Sequence, residues 1–297
     1  MTPYFKGFLI TLAGVLLISP DTLLIRLIDA GTFTQVFWRG LLSGIVVLAG
    51  FAVLTGRDAP VRLLKIGWPV FWIALIFSTG TLCFIYSATH TLIANTLFIA
   101  STSPVFAALI SVIFLRESVS LRTWVTIAVT LGGIGVIASG SIDATGGASG
   151  GSLDGDLAAL GAALSLAATF AIARANRTAS MVPATGLAGL LSAAIAASLA
   201  PTLAVPADDW LWLALLGLIV APGGFALLAT GPRYLPAPDV SLLLLLEALL
   251  GPLLVWLVLA EFPGHRTLIG GGIVLSAMVA SNLAAWQQSR TRARKAA

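Results

Sequence analysis

Charge is the scarce ingredient of this chain. Only 9% of its 297 residues are Asp, Glu, Lys or Arg, against roughly 25% in soluble domains. So little polar material cannot cover a globule in water, so the chain needs lipid as its solvent. Cysteine is limited to Cys83, in mid-helix, which excludes an intramolecular disulfide and reads as a packing residue. Histidine occurs twice, as His90 and His265, at the ends of different loops. The adjacent carboxylates Asp208 and Asp209 lack a metal-ligand partner at useful spacing. No metal, cofactor or catalytic constellation is therefore expected, and the chain does not read as an enzyme. The GxxxxGK[ST] phosphate loop is missing too, which excludes ATP hydrolysis.

Apolar residues make up 58% of the chain, and the mean hydropathy is +1.02. A helix needs about 20 apolar residues to cross a hydrocarbon core of about 30 Å. Ten such runs are present: Phe5–Ile28, Phe33–Leu54, Ile66–Ala88, Thr91–Leu115, Leu121–Gly140, Asp154–Ala173, Ala184–Leu203, Trp210–Gly231, Pro236–Ala260 and Thr267–Trp286. They are apolar all round, unlike the alternating strands of a membrane β-barrel. The first run is too long for a signal peptide and lacks an A-x-A site, so it reads as a retained helix. Between the fifth and sixth runs lies Ser141–Leu153, SIDATGGASGGSL, a flexible Gly/Ser linker by composition. The expected organisation is a first five-helix unit over 1–140, a linker over 141–153, a second unit over 154–289 and a basic cytoplasmic tail over 290–297.

Placing the N-terminus in the cytoplasm puts Lys6, Arg57, Arg62, Lys65, Arg116, Arg122, Arg174, Arg177 and Arg233 on the inner side. Arg290, Arg292, Arg294 and Lys295 of the tail join them. Only Arg26 and Arg266 fall outside, and Arg39 lies within a helix. The outer side collects Asp29, Asp143, Asp154, Asp156, Asp208, Asp209 and Glu261. This is the positive-inside pattern of a multi-pass protein of the cell inner (cytoplasmic) membrane, N-in and C-in. The net charge of +4 then reports orientation and attraction to the lipid bilayer, and no nucleic-acid partner is expected.

The chain also resembles itself. A shift of 144 residues aligns Trp68 with Trp212, Glu117 with Glu261, and Ser103-Pro104 with Glu247-Ala248. A slightly larger offset aligns Gly7 with Gly155 and Arg26 with Arg174. A repeat of five helices must insert its second copy upside down, because five is odd. The expected fold is all-α, with ten transmembrane helices arranged as two inverted five-helix repeats. Such repeats recur in secondary transporters, where two opposed halves alternately open around a midplane site.

An intramembrane charge is costly and calls for a partner or a function. Glu247 lies near the middle of the ninth run with no basic residue at its depth. It reads either as a cavity carboxylate that binds a substrate ammonium or exchanges a proton, or as a protonated group at a helix contact. Asp21 and Arg39 both lie about 10 Å below the outer surface, at about 1.5 Å of rise per residue. That depth permits an ion pair bracing the first hairpin, with substrate contact or gating as the other reading. Ser78, Tyr86, Asn95, Thr102 and Phe106 belong to a polar and aromatic series on the third and fourth runs. They read as a pocket for a small amphipathic solute or as interhelical hydrogen bonding. Pro20, Pro104, Pro222 and Pro252 interrupt the first, fourth, eighth and ninth runs and offer hinges. Gly40-xxx-Gly44 and Gly270–Gly272 read as close helix contacts.

In Thr96–Ser139, Pro104 is followed by Glu117 and then Gly132-Gly133. Together with the second-half stretch SLLLLLEALLGPLLVWLVLAEFPGHRTLIGG, this resembles the drug/metabolite transporter superfamily, EamA-type. Arg39 also matches a common position of that family. The segment LLEALLGPLLVWL is similar to the YddG-type aromatic amino acid exporters, although Ala248 replaces a usual proline and Pro252 follows instead. The resemblance implies an N-in, C-in inverted-repeat transporter whose third, fourth, eighth and ninth helices line a central cavity. It implies export of small-molecule substrates, aromatic and other neutral amino acids, from the cytoplasm by alternating access. The alternative is a sugar-phosphate, nucleotide-sugar or other metabolite or drug exchanger, and the third reading is a membrane enzyme or structural protein. A monomer suffices for this mechanism, while small-residue stripes serve packing within and between chains equally well.

Overall fold

The computed structural model describes residues 3–58, 67–103, 105–106, 109–110, 121–143, 152–175, 182–230, 234 and 237–296. They are helices joined by short irregular connections, the longest described being residues 200–206 and 260–264. The first crossing is two helices, Pro3–Ile18 and Asp21–Leu27, and the second is Thr32–Thr55. The third is Trp68–His90, the fourth begins as Ile93–Ala100, and the fifth is Leu121–Asp143. The sixth and seventh are Leu153–Ala175 and Val182–Leu199. The eighth runs from Trp210 to Thr230, the ninth is Ala237–Leu259, and the tenth is His265–Ala296. The tenth helix thus continues through the basic segment that closes the sequence. Five described stretches are long and apolar enough to span a bilayer: Phe5–Leu27, Thr32–Thr55, Trp68–His90, Val182–Leu199 and Ala207–Leu228. Leu54, Trp68 and Leu257 are 90%, 73% and 71% exposed, the inside-out surface that a lipid solvent requires.

The packing obeys a pseudo-twofold. The second crossing lies against the seventh, the fifth against the tenth, and the fourth against the ninth, each beside its own repeat counterpart. The third packs on the sixth just as the eighth packs on the first, which exchanges the two halves. Lipid tails supply no hydrophobic drive for helix association, so small residues must let backbones approach closely. At the second–seventh crossing a Cβ on Gly40 would lie 2.6 Å from the Gly189 carbonyl oxygen, and one on Gly189 2.8 Å from that of Gly40. At the fifth–tenth crossing a Cβ on Gly270 would lie 2.6 Å from the Gly133 carbonyl oxygen. Both crossings close only because glycine stands on each side.

Among the described residues, the first and eighth crossings are irregular beside a proline, and the fourth breaks at Ser101-Thr102. The first breaks at Ser19-Pro20, where Pro20 starts the helix Asp21–Leu27 without a side-chain cap. Ser19 compensates locally by donating its hydroxyl to the Val15 carbonyl at 2.7 Å. In the eighth, residues Leu215–Val220 form a π-helical segment just before Pro222. Pro222 has no N–H for the carbonyl four residues earlier and its ring crowds that oxygen, and the wider π turn makes room. Gly223 and Gly224 sit against Leu17 and Ile18 of the first crossing, where a Cβ would approach to 2.8 and 2.9 Å. Pro252, by contrast, lies inside the continuous ninth helix. Pro104 lies outside the described residues.

Candidate functional site

The site is assembled from residues that sequence depth alone leaves unconnected. Asp21 opens the second half of the first crossing and Arg39 lies two turns into the second. Arg39 Nη2 donates to Asp21 Oδ1 at 3.0 Å and Nε donates to the same oxygen at 3.3 Å. The side chains are only 6% and 3% exposed, so this ion pair is desolvated and fixed. The guanidinium also lies 6.0 Å from the centroid of the Phe225 ring, within cation–π range. Phe225 in turn meets Phe77 edge-on at 5.4 Å.

Glu247, in mid-ninth crossing, lies within electrostatic reach of both Asp21 and Arg39. It is partly buried, and no group among the described residues hydrogen-bonds its carboxylate. Gly251 follows one turn later on the same face. A Cβ there would meet Leu97 and stand 3.3 Å from Thr22 Oγ1, so the glycine admits the first and fourth crossings. Thr22 Oγ1 is buried and has no hydrogen-bond partner. A buried polar atom left unsatisfied normally has a water, ion or ligand to satisfy it. The constellation is therefore one neutralised pair, one carboxylate and one hydroxyl awaiting partners, and an aromatic wall. Its charge, with Glu247 ionised, is one negative in excess.

The other expected lining residues lie elsewhere. Asn95 is 1% exposed and fully engaged. Its Nδ2 donates to Asp156 Oδ1 at 3.0 Å, and its Oδ1 accepts from Thr267 Oγ1 at 2.6 Å. Tyr86 donates its hydroxyl to Asp154 at 2.8 Å and stacks on His90 at 3.9 Å, near the exposed end of the third crossing. Ser78 and Thr102 are buried and donate back to the carbonyls of Leu75 and Ile99. Phe106 is partly buried on the fourth crossing. The structure thus gives Ser78, Tyr86, Asn95 and Thr102 local and interhelical hydrogen bonds. The Asp21–Arg39 pair, with Phe225 over the guanidinium and Phe77 against Phe225, draws on the first, second, third and eighth crossings. The likeness of Asp21 and Arg39 in depth signalled their pairing; nothing in the sequence signalled Phe225 or Thr22.

Asp156, within the sixth run and counted among the outer-side acids, is 2% exposed. It is held by Thr91 Oγ1 at 2.8 Å as well as by Asn95. Burial is tolerable because both partners donate to the charged form. Arg26 and Glu261, two further acid and base residues counted among the outer charges, form an ion pair at 3.3 Å with side chains 25% and 22% exposed.

The EamA-like transporter family matches this chain twice, over residues 5–139 and 153–283. The chain belongs to the EamA-like transporter family: it is a multi-pass membrane protein of the metabolite and drug transporter class. No curated protein matches it. A solved structure titled "Crystal structure of protein" is similar over 95% of this chain and 98% of its own, with a TM-score of 0.65 and 18% identity. That likeness concerns the fold alone.

Proposed function

We propose that this chain exports small amphipathic metabolites, most of all aromatic and other neutral amino acids, from the cytoplasm by alternating access. In this reading it sits in the inner membrane N-in and C-in. Residues 1–140 and 154–289 are its two opposed units, joined by 141–153. The observation that carries the reading is the Glu247 carboxylate, which lacks a hydrogen-bond partner among the described residues beside an ion pair that is already neutral. An uncompensated charge in mid-membrane is costly, and a substrate ammonium would neutralise it. Phe225 and Phe77 would then receive the side chain, which favours aromatic solutes.

Sugar phosphates and nucleotide sugars fit less well. Such anions require several deep cations, whereas Arg39 lies deep and is already held by Asp21. The test is uptake of labelled phenylalanine, tryptophan and threonine into proteoliposomes, wild type against Glu247→Gln. We expect uptake by the wild type and a loss of at least about tenfold in the variant, equivalent to about 1.4 kcal/mol. Normal flux in the variant would reduce Glu247 to a packing role, and no flux in either protein would discard amino acids as substrates.

A further inference from the structure

The ion pairs of this molecule divide by which halves they join. Asp21–Arg39 links the first and second crossings, both in the first half, so no relative motion of the halves needs to break it. Arg26–Glu261 links the first half to the second. Around it, Arg26 Nη2 donates to the Thr91 carbonyl at 2.5 Å, and Glu261 Oε1 accepts from the Ile93 amide at 3.0 Å. Glu261 thereby caps the N-terminus of the helix Ile93–Ala100, a position that favours a carboxylate. One turn deeper, Thr91 and Asn95 both donate to Asp156 of the sixth crossing, and Thr267 of the tenth donates to Asn95. Two layers of polar contacts thus converge on the single turn Thr91–Asn95 and tie it to the other half at one end of the bundle. The Arg26 and Glu261 side chains are 25% and 22% exposed, so water reaches this ion pair from outside.

We infer that Arg26, Glu261 and the turn Thr91–Asn95 form a releasable latch that closes this end of the transport path, backed by the Asp156–Asn95–Thr267 bolt. This rests on the transporter reading proposed above, and it assigns the present structure to the state closed at the Glu261 end. Opening that end exchanges the upper contacts for water. Fully exposed ion pairs are worth about 1 kcal/mol or less, and this partly exposed pair is far easier to break than the buried Asp21–Arg39 pair, which suits a contact that must break in every cycle. The buried Asp21–Arg39 pair travels with its half unbroken.

The test uses Ala94→Cys in a Cys83→Ser background. Ala94 is 3% exposed and lines the small cavity beside Glu261. Its labelling by a membrane-impermeant thiol reagent added from the Glu261 side reports opening of that end. We expect slow labelling in the otherwise unaltered chain. Arg26→Gln or Glu261→Gln should accelerate it about fivefold, the factor that about 1 kcal/mol represents. The exchange Arg26→Glu with Glu261→Arg should return part of the protection. Should a variant fail to fold, the unaltered latch is tested by salt: 1 M salt should speed labelling, because exposed pairs are screened. Unchanged labelling under these treatments would overturn the latch and leave Arg26–Glu261 a static brace. Labelling that responds in a protein moving no solute would keep the latch and discard the transporter reading. Normal solute flux with unresponsive labelling would do the reverse.

Discussion

Asn95 Oδ1 accepts a 2.6 Å hydrogen bond from Thr267 Oγ1 across 172 positions of sequence, joining the fourth crossing to the tenth. The same amide donates to Asp156 of the sixth, so one side chain stitches three crossings together. Removing a member of a buried polar network leaves its partners desolvated and unpaired. Asn95→Leu is expected to cost about 2–3 kcal/mol, because Asp156 and Thr267 both lose a partner. A lowered midpoint in a thermal series of detergent-solubilised protein, followed by size-exclusion chromatography, is the readout. An unchanged midpoint would mean that water replaces the amide.

The Asp21–Arg39 pair should be more costly to halve than to delete. Asp21→Asn or Arg39→Gln alone strands a buried charge and should destabilise by about 3–5 kcal/mol. The double substitution should recover a substantial part of that loss. A double-mutant cycle on thermal or denaturant midpoints measures the coupling. Additive losses would mean that each side chain finds another partner when its mate is gone.

The repeat in the sequence gives both latch residues a counterpart: Arg174 aligns with Arg26 and Glu117 with Glu261. Glu117 lies outside the described residues, so this expectation rests on the sequence repeat alone. Inverted repeats exchange roles between the two membrane faces. Reversing the charge at Glu117 or Arg174 singly should lower solute flux about tenfold, and the double reversal should restore part of it. Equal flux in all three variants would confine the latch to one end.

The crossings were legible in the sequence because a bilayer demands length and apolarity, and both are one-dimensional quantities. The third crossing was expected over Ile66–Ala88 and stands at Trp68–His90. Depth is one-dimensional as well, which is why Asp21 and Arg39 could be matched in advance. Neighbourhood in the membrane plane is not. Two residues at one depth can lie on opposite sides of a ten-helix bundle, and only packing decides. Asn95 and Tyr86 were therefore open to a pocket or to interhelical bonding, and only the structure shows them bonded to Asp156 and Asp154 of the sixth crossing. Phe225 carried no signal because one phenylalanine in an apolar run is like any other until its neighbours are known.

The two halves share a fold but differ in stiffness. The first crossing is severed at Pro20, while its repeat counterpart Leu153–Ala175 is one continuous helix. The eighth carries a π turn, while its counterpart Trp68–His90 is regular. Under the proposed alternating access, a perfectly matched pair of halves would spend equal time facing either side of the membrane. Here the mirror is broken in its joints, so in that cycle the two resting orientations differ in free energy and one is the preferred waiting state. The direction of net flux still belongs to the gradients, but the unloaded carrier has a favoured side on which to meet its cargo.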